Sequence, residues 1–261
     1  MPTEEFIIEL FCRIDDLLGA LPKHPQERMT RSELHTVGML FALKGVGKRA
    51  FYRWFKRDYH TLFPGLLERT RLFRRIAKRW EDCTAFLALP TCLGIIDTYG
   101  IETLHPYRDG RTANQIGRKG LSNHRWIVGA KLAYILDQMG RVVAWSLMPD
   151  NVHDTTFLSM VHGFRDEMII FGDQGFRSAT DRPENLRICK KGEWNSRMLV
   201  ETVLSLLTTV MHSKKMLERT WPHVIARVAS LLAVYNILVQ WNGMLAEPDG
   251  FVPIHIAEFS L

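Results

Sequence analysis

The sequence predicts an α/β fold: a mixed β-sheet flanked by helices and preceded by a small all-helical domain. Three observations predict it. Up to about residue 85 the apolar residues recur three and four apart, the spacing of helices that bury one face. After Pro90 the texture changes to short β-branched runs. There a hairpin is followed by alternating strand and helix patterns, which requires antiparallel and parallel pairing in one sheet.

The elements follow in order. Residues 3–20 place Phe6, Ile7, Leu10, Phe11, Ile14, Leu17 and Leu18 on one helical stripe. Ser32 suits the cap of a second helix running to about Lys44. Gly45-Val46-Gly47 then turns the chain into a third helix over 48–57. Two short helices about a glycine turn resemble a helix-turn-helix, with Lys48, Arg49, Arg53, Lys56 and Arg57 toward phosphate. Pro64 opens a further basic helix to about Trp80. In the second half, 92–98 reads as a strand, 104–125 as a polar loop, and 126–136 with 141–147 as a hairpin. A helix over 154–164 has Asp154 as its expected N-cap. The apolar run Met168-Ile169-Ile170-Phe171 is a short strand ending at Gly172-Asp173, and 186–189 is a second short one. Helices over 195–215 and from about Pro222 to Trp241 complete the chain, the first with Met198, Leu199, Thr202, Leu206, Thr209 and Val210 on its apolar face.

Composition narrows the function. Apolar residues make up 46% and charged residues 24%, enough for an ordinary globular core. The four cysteines, Cys12, Cys83, Cys92 and Cys189, form no CxxC pair, which argues against a zinc site or disulfide framework and fits a reducing compartment. No apolar run is expected to reach the ~18 residues that span a membrane, and no signal peptide is read. The net charge of +6 is concentrated: residues 44–80 hold twelve basic residues, Arg74 and Arg75 among them, against Asp58 and Glu68. Such a cluster points to a polyanion, most simply nucleic acid.

The chemistry lies in three carboxylates. Asp97 and Asp173 each end an apolar strand, and Glu201 sits in the helix over 195–215. Two strand ends and a helix can bring them to one pocket, where mutual repulsion calls for a divalent cation with a taste for hard oxygen ligands. Glu102 is set aside because strand alternation sends it to the face opposite Asp97, and Asp109 because it lies in a turn. Lys131 interrupts an apolar strand, and either snorkels to an edge or points toward bound DNA. Arg118 and Lys119, with Arg108, Arg111 and Arg125, make the loop before it a candidate clamp for a DNA end.

Together these residues resemble the DDE transposases of bacterial insertion sequences. The resemblance covers roughly residues 90–261 and rests on Asp97 in LGIIDT, on Asp173-Gln174-Gly175-Phe176, similar to the family's D-x-G-[YF], and on 194–201. There Trp194, Arg197 and Glu201 follow the family's spacing of aromatic, arginine and glutamate, with Trp where Tyr is commoner. Thr208 stands where the family often has lysine, with Lys214 and Lys215 shortly after. Only 28 residues separate Asp173 from Glu201, too few for the β-rich insertion some relatives carry.

The resemblance implies an RNase H-like catalytic domain over 86–261 and a DNA-binding domain over 1–85. It implies Asp97, Asp173 and Glu201 as both catalytic residues and metal ligands, for Mg²⁺ or Mn²⁺ and two ions. Arg197 would orient Glu201 or hold a phosphate. The partners would be double-stranded DNA, as transposon ends and target, and further copies of the chain in a homodimer or larger synaptic complex. The setting would be the bacterial cytoplasm and nucleoid, with no membrane. Two other readings stay open: an RNase H-fold nuclease without strand transfer, and a domesticated DNA-binding protein whose catalysis is lost.

Overall fold

A computed structural model of the chain describes residues 2–20, 22, 25–113, 115–122, 125–189, 196–216 and 218–243, without the side chains of 196–198. Four helices come first: α1 (Thr3–Leu18), α2 (Arg31–Lys44), α3 (Lys48–Tyr59) and α4 (Arg69–Lys78). Thr30, rather than Ser32, caps α2: its hydroxyl accepts from Glu33 N at 3.1 Å while the Glu33 carboxylate accepts from Thr30 N. That reciprocal pair satisfies two amide groups that a helix start otherwise leaves open. Glu68 caps α4 through Thr70 N, so this helix begins at Arg69 and not at Pro64. α2 is buried almost all round, because α1, α4 and the last helix enclose it.

Among the described residues the sheet has six strands: β1 (Leu93–Leu104), β2 (Arg118–Ser122), β3 (Arg125–Asp137), β4 (Val142–Pro149), β5 (Ile169–Gly172) and β6 (Leu186–Ile188). The order is β2-β3-β1-β5-β6, with β4 on β3. β1, β2 and β4 each pair with β3 antiparallel, whereas β1–β5 and β5–β6 are parallel. This is the mixed, helix-flanked sheet of the RNase H-like fold. β1 runs six residues past the expected strand, so Asp97 lies inside it rather than at its end. β2 occupies part of the expected loop; RKGLS has little strand character of its own and is held by pairing from Arg118 with Gly129 to Ser122 with Arg125.

Three helices belong to the described residues of the second half: α5 (Leu158–His162), α6 (Ser196–Ser205) and α7 (Trp221–Trp241). The region before α5 is a 3-10 turn, Asp154–Phe157, capped by His153 and not by Asp154. α6 gives way to a π-helical turn, Leu206–Val210. It buries Val200, Val203 and Leu207, while Thr202 and Thr209 of the expected apolar face are exposed. The three buried residues form the more uniformly apolar stripe at helical spacing. Asn195 lies outside the described residues.

α7 corrects the expectation that no apolar run is long enough for a membrane. Its 21 residues and mean hydropathy of 1.6 meet that test by length and composition, yet 83% of the window is buried in the protein. It is the central post of the helical layer, packed by α2, α4 and the turn before the sheet. Asn236, fully buried, accepts from Val142 N at 2.8 Å and donates to Val142 O and Phe86 O. Tyr235 donates to Gly140 O at 2.8 Å. One hydrophobic core therefore joins α1–α4, α6, α7 and the Tyr99/Tyr134 face of the sheet. A smaller core under α5 covers the other face through Ile96, Ala133 and Ile135. The expected division at 85/86 is not marked by a break in the core.

Candidate active site

β1 and β5 bring two of the expected carboxylates together. Their parallel register pairs Leu93 with Ile169, Gly94 with Ile170 and Ile95 with Phe171. Carried two residues further, it sets Asp97 opposite Asp173. β5 ends at Gly172, where a Cβ would lie 3.1 Å from Ile96 Cγ2 and 3.2 Å from Phe176. The chain then turns through Gln174–Phe176, with buried Phe176 as anchor. Asp173 is exposed and caps this turn, its Oδ1 accepting from Gly175 N at 2.9 Å.

Asp97 is half-buried. It pairs with Tyr134 across the strands, and the Tyr134 hydroxyl donates to its Oδ2 at 3.4 Å. Burial pushes its carboxyl up to about 7, and the charges of Asp173 and Asp154 push the same way; the Thr98 amide and Tyr134 oppose them. Burial and the Asp97 charge hold the Tyr134 hydroxyl well above its ordinary value. Asp97 is therefore a carboxylate short of positive charge.

The third carboxylate nearby is one that sequence reasoning assigned to a cap. Asp154 Oδ1 accepts from Thr98 Oγ1 at 3.1 Å and from Lys131 Nζ at 2.8 Å. A Cβ on Gly175 would lie 2.6 Å from Asp154 Oδ2 and 3.0 Å from Asp173 Oδ1, so glycine at 175 lets the two acids close together. The available signal was Lys131 itself, since a lysine within an apolar strand needs a counter-charge. Lys131 also donates to Val152 O at 2.7 Å and is thus engaged inside the protein.

Glu201 rides on α6. Val200, Val203 and Leu207 pack into the core on the Tyr134 face, and Leu204 and Leu207 line one small void with Tyr99 and Tyr134. α6 thus lies over the sheet face to which Asp97 points, and Glu201 is exposed one turn before Leu204. The Arg197 side chain lies outside the described residues. Among the described residues no three His, Cys, Asp or Glu side chains are arranged to hold a metal ion. The donor chemistry nonetheless fits a hard divalent cation, because Asp97 and Asp173 repel each other and, among the described residues, no cation offsets the Asp97 charge.

The expected DNA-contacting residues divide by pairing. Arg49, Arg53 and Arg74 are exposed on α3 and α4, as are Arg118 and Lys119 on β2, where Lys119 lies 5.4 Å from the Trp126 ring centroid. Lys48 instead pairs with buried Glu218, and Arg75 with Glu27 at 3.1 Å.

Residues 88–217 match the model of the transposase DDE domain, a span from just before β1 to just beyond the π-helical turn that contains Asp97, Asp154, Asp173 and Glu201. No curated protein matches the chain. Domains of this kind act on DNA and use divalent metal ions. By its mixed sheet and its family match, the stretch 88–217 of this chain is a DDE-type transposase domain.

Proposed function

We propose that the protein hydrolyses a phosphodiester at the end of a mobile DNA element and joins the freed 3′-hydroxyl to target DNA. The observation that supports this reading is the parallel register of β1 with β5, which, carried two residues on from Ile95 and Phe171, runs to Asp97 and Asp173, with Glu201 on α6, a helix that packs on the Tyr134 face of the sheet. Asp97, Asp173 and Glu201 would hold Mg²⁺ or Mn²⁺, two ions in all. Bound there, the ions supply Lewis-acid activation of the attacking oxygen and stabilise charge on the leaving one.

The chain's own groups prepare the site. Tyr134 fixes one oxygen of Asp97, and the Gly175 amide fixes one of Asp173. Lys131 neutralises Asp154, which limits the negative charge that a DNA phosphate would meet. No residue needs to bond covalently to DNA. Residues 1–85 would recognise the terminal repeats and 86–261 would do the chemistry. A homodimer or larger complex would hold two ends, in the bacterial cytoplasm on the nucleoid.

The test incubates the protein with a labelled element end, target plasmid and Mg²⁺. Joined product is expected, and Asp97→Ala, Asp173→Ala and Glu201→Ala should each abolish it. If all three variants keep wild-type activity, the site assignment is wrong. Nicking without joining would establish the nuclease reading, and DNA binding with neither product the domesticated one. A readout apart from activity is stability. Mg²⁺ should raise the melting temperature relative to chelator by mass action, and Asp97→Asn should lose that response.

A further inference from the structure

A cleft of about 680 Å³ opens between the glycine turn joining α2 to α3 and the segment leading from the π-helical turn into α7. It lies in the size range of ligand sites. None of Asp97, Asp154, Asp173 or Glu201 lines it. Among the described residues its walls carry five cationic side chains, Lys48, Lys214, Lys215, Arg219 and Arg227, and a single carboxylate, Glu218. Glu218 is buried and shared between Lys48, at 2.5 Å, and Arg227, at 3.4 Å. Lys215 turns to Glu102 at 2.9 Å. Lys214 and Arg219 are exposed, and among the described residues no carboxylate pairs with either. The crowding of positive charge also registers on His223, pushed below its ordinary value by burial and then by Lys48.

The cleft is held open by backbone that ordinary residues avoid. Gly45 has φ +65°, and a Cβ there would lie 2.4 Å from His212 Cδ2. His212 itself has φ 53°, the one positive φ outside glycine among the described residues. Two left-handed residues in contact therefore lock the turn against the far wall. The charge does not stop at the rim. Lys48 begins α3, whose exposed face continues through Arg49 and Arg53. A single small anion would use only part of such a surface; a run of phosphates would use it all.

We propose that this cleft binds the phosphodiester backbone of DNA, with Lys214 and Arg219 as its free cations, apart from the acidic site. The inference rests on DNA being the partner, as proposed above. The test measures duplex binding by fluorescence anisotropy in chelator, so that catalysis plays no part, across a range of salt concentrations. Each lost phosphate contact lowers the slope of log K against log salt by about 0.9. Lys214→Ala with Arg219→Ala should therefore flatten it by about 1.8. Both side chains are exposed, and an unchanged melting temperature checks the fold; if the alanine pair melts early, the glutamine pair is read instead. Normal wild-type binding with an unchanged slope in the variant overturns the cleft and leaves the transposase reading standing. A wild-type protein that binds no DNA overturns both. Inorganic pyrophosphate is the second arm: if it stabilises the wild type but not the variant while the DNA slope is unchanged, the cleft takes small phosphates and the proposal falls.

Discussion

Lys131 sets the charge balance behind the acidic pair, and it leaves one neighbour unpartnered. Asp150 is 1% exposed, and among the described residues neither of its carboxylate oxygens has a hydrogen-bond partner. Burial pushes its carboxyl up to about 6; Lys131 pulls the other way and Asp154 adds to the rise. A carboxyl whose folded value exceeds its unfolded one, near 3.9, stabilises the fold while protonated. That contribution is complete below about pH 4 and lost as pH rises through 6, at most ~3 kcal/mol. Asp150→Asn removes the proton from the balance. Urea unfolding in chelator should then show stability falling less between pH 4 and 7 in the variant than in the wild type. Equal falls would mean that Asp150 does not titrate in this window. Asp97, raised to about 7, has the same sign and stays in both proteins. At this scale Asp97 and Asp173 were legible in the sequence, because each follows an apolar run. Asp154 was not, because N-cap preference already accounts for an acid before a helix.

At the scale of elements, basic residues sort by what lies beside them. On α4, Arg74 is exposed whereas Arg75 reaches Glu27, which also lies 3.6 Å from Arg79. Arg74→Ala should lower the salt slope of DNA binding by about 0.9 and Arg75→Ala by less. Equal losses would show that the Glu27 pair opens when DNA binds. Sequence charge could not separate these neighbours, because Glu27 is 48 residues away. The helices α1 and α7 and the hairpin strands were legible from periodicity and turn residues. β2 was not, because its reason for being a strand is its partner β3. The apolar stripe of α6 was misread because two stripes of similar spacing compete in LVETVLSLL, and only tertiary packing chooses between them.

At the scale of the molecule, the fold class was legible, since the order of strands and helices admits few sheets. The sharing of one core was not. Charge and periodicity change near residue 85, but α2 and α4 bury their apolar faces on α7, far along the chain. Residues 1–85 expressed alone should therefore lack a cooperative urea transition, with circular dichroism as the readout. A sharp transition would show that α1–α4 stand without α7.

The post that completes this core is made long after the helices it covers. Some 140 residues separate the end of α4 from the start of α7. At ribosomal rates of about 5–20 residues per second, that leaves α1–α4 waiting on the order of 10–30 s with their apolar faces uncovered. A message interrupted anywhere in between would yield a chain that carries the basic residues of α3 and α4 on an unfinished core, a target for proteolysis rather than a competitor for DNA.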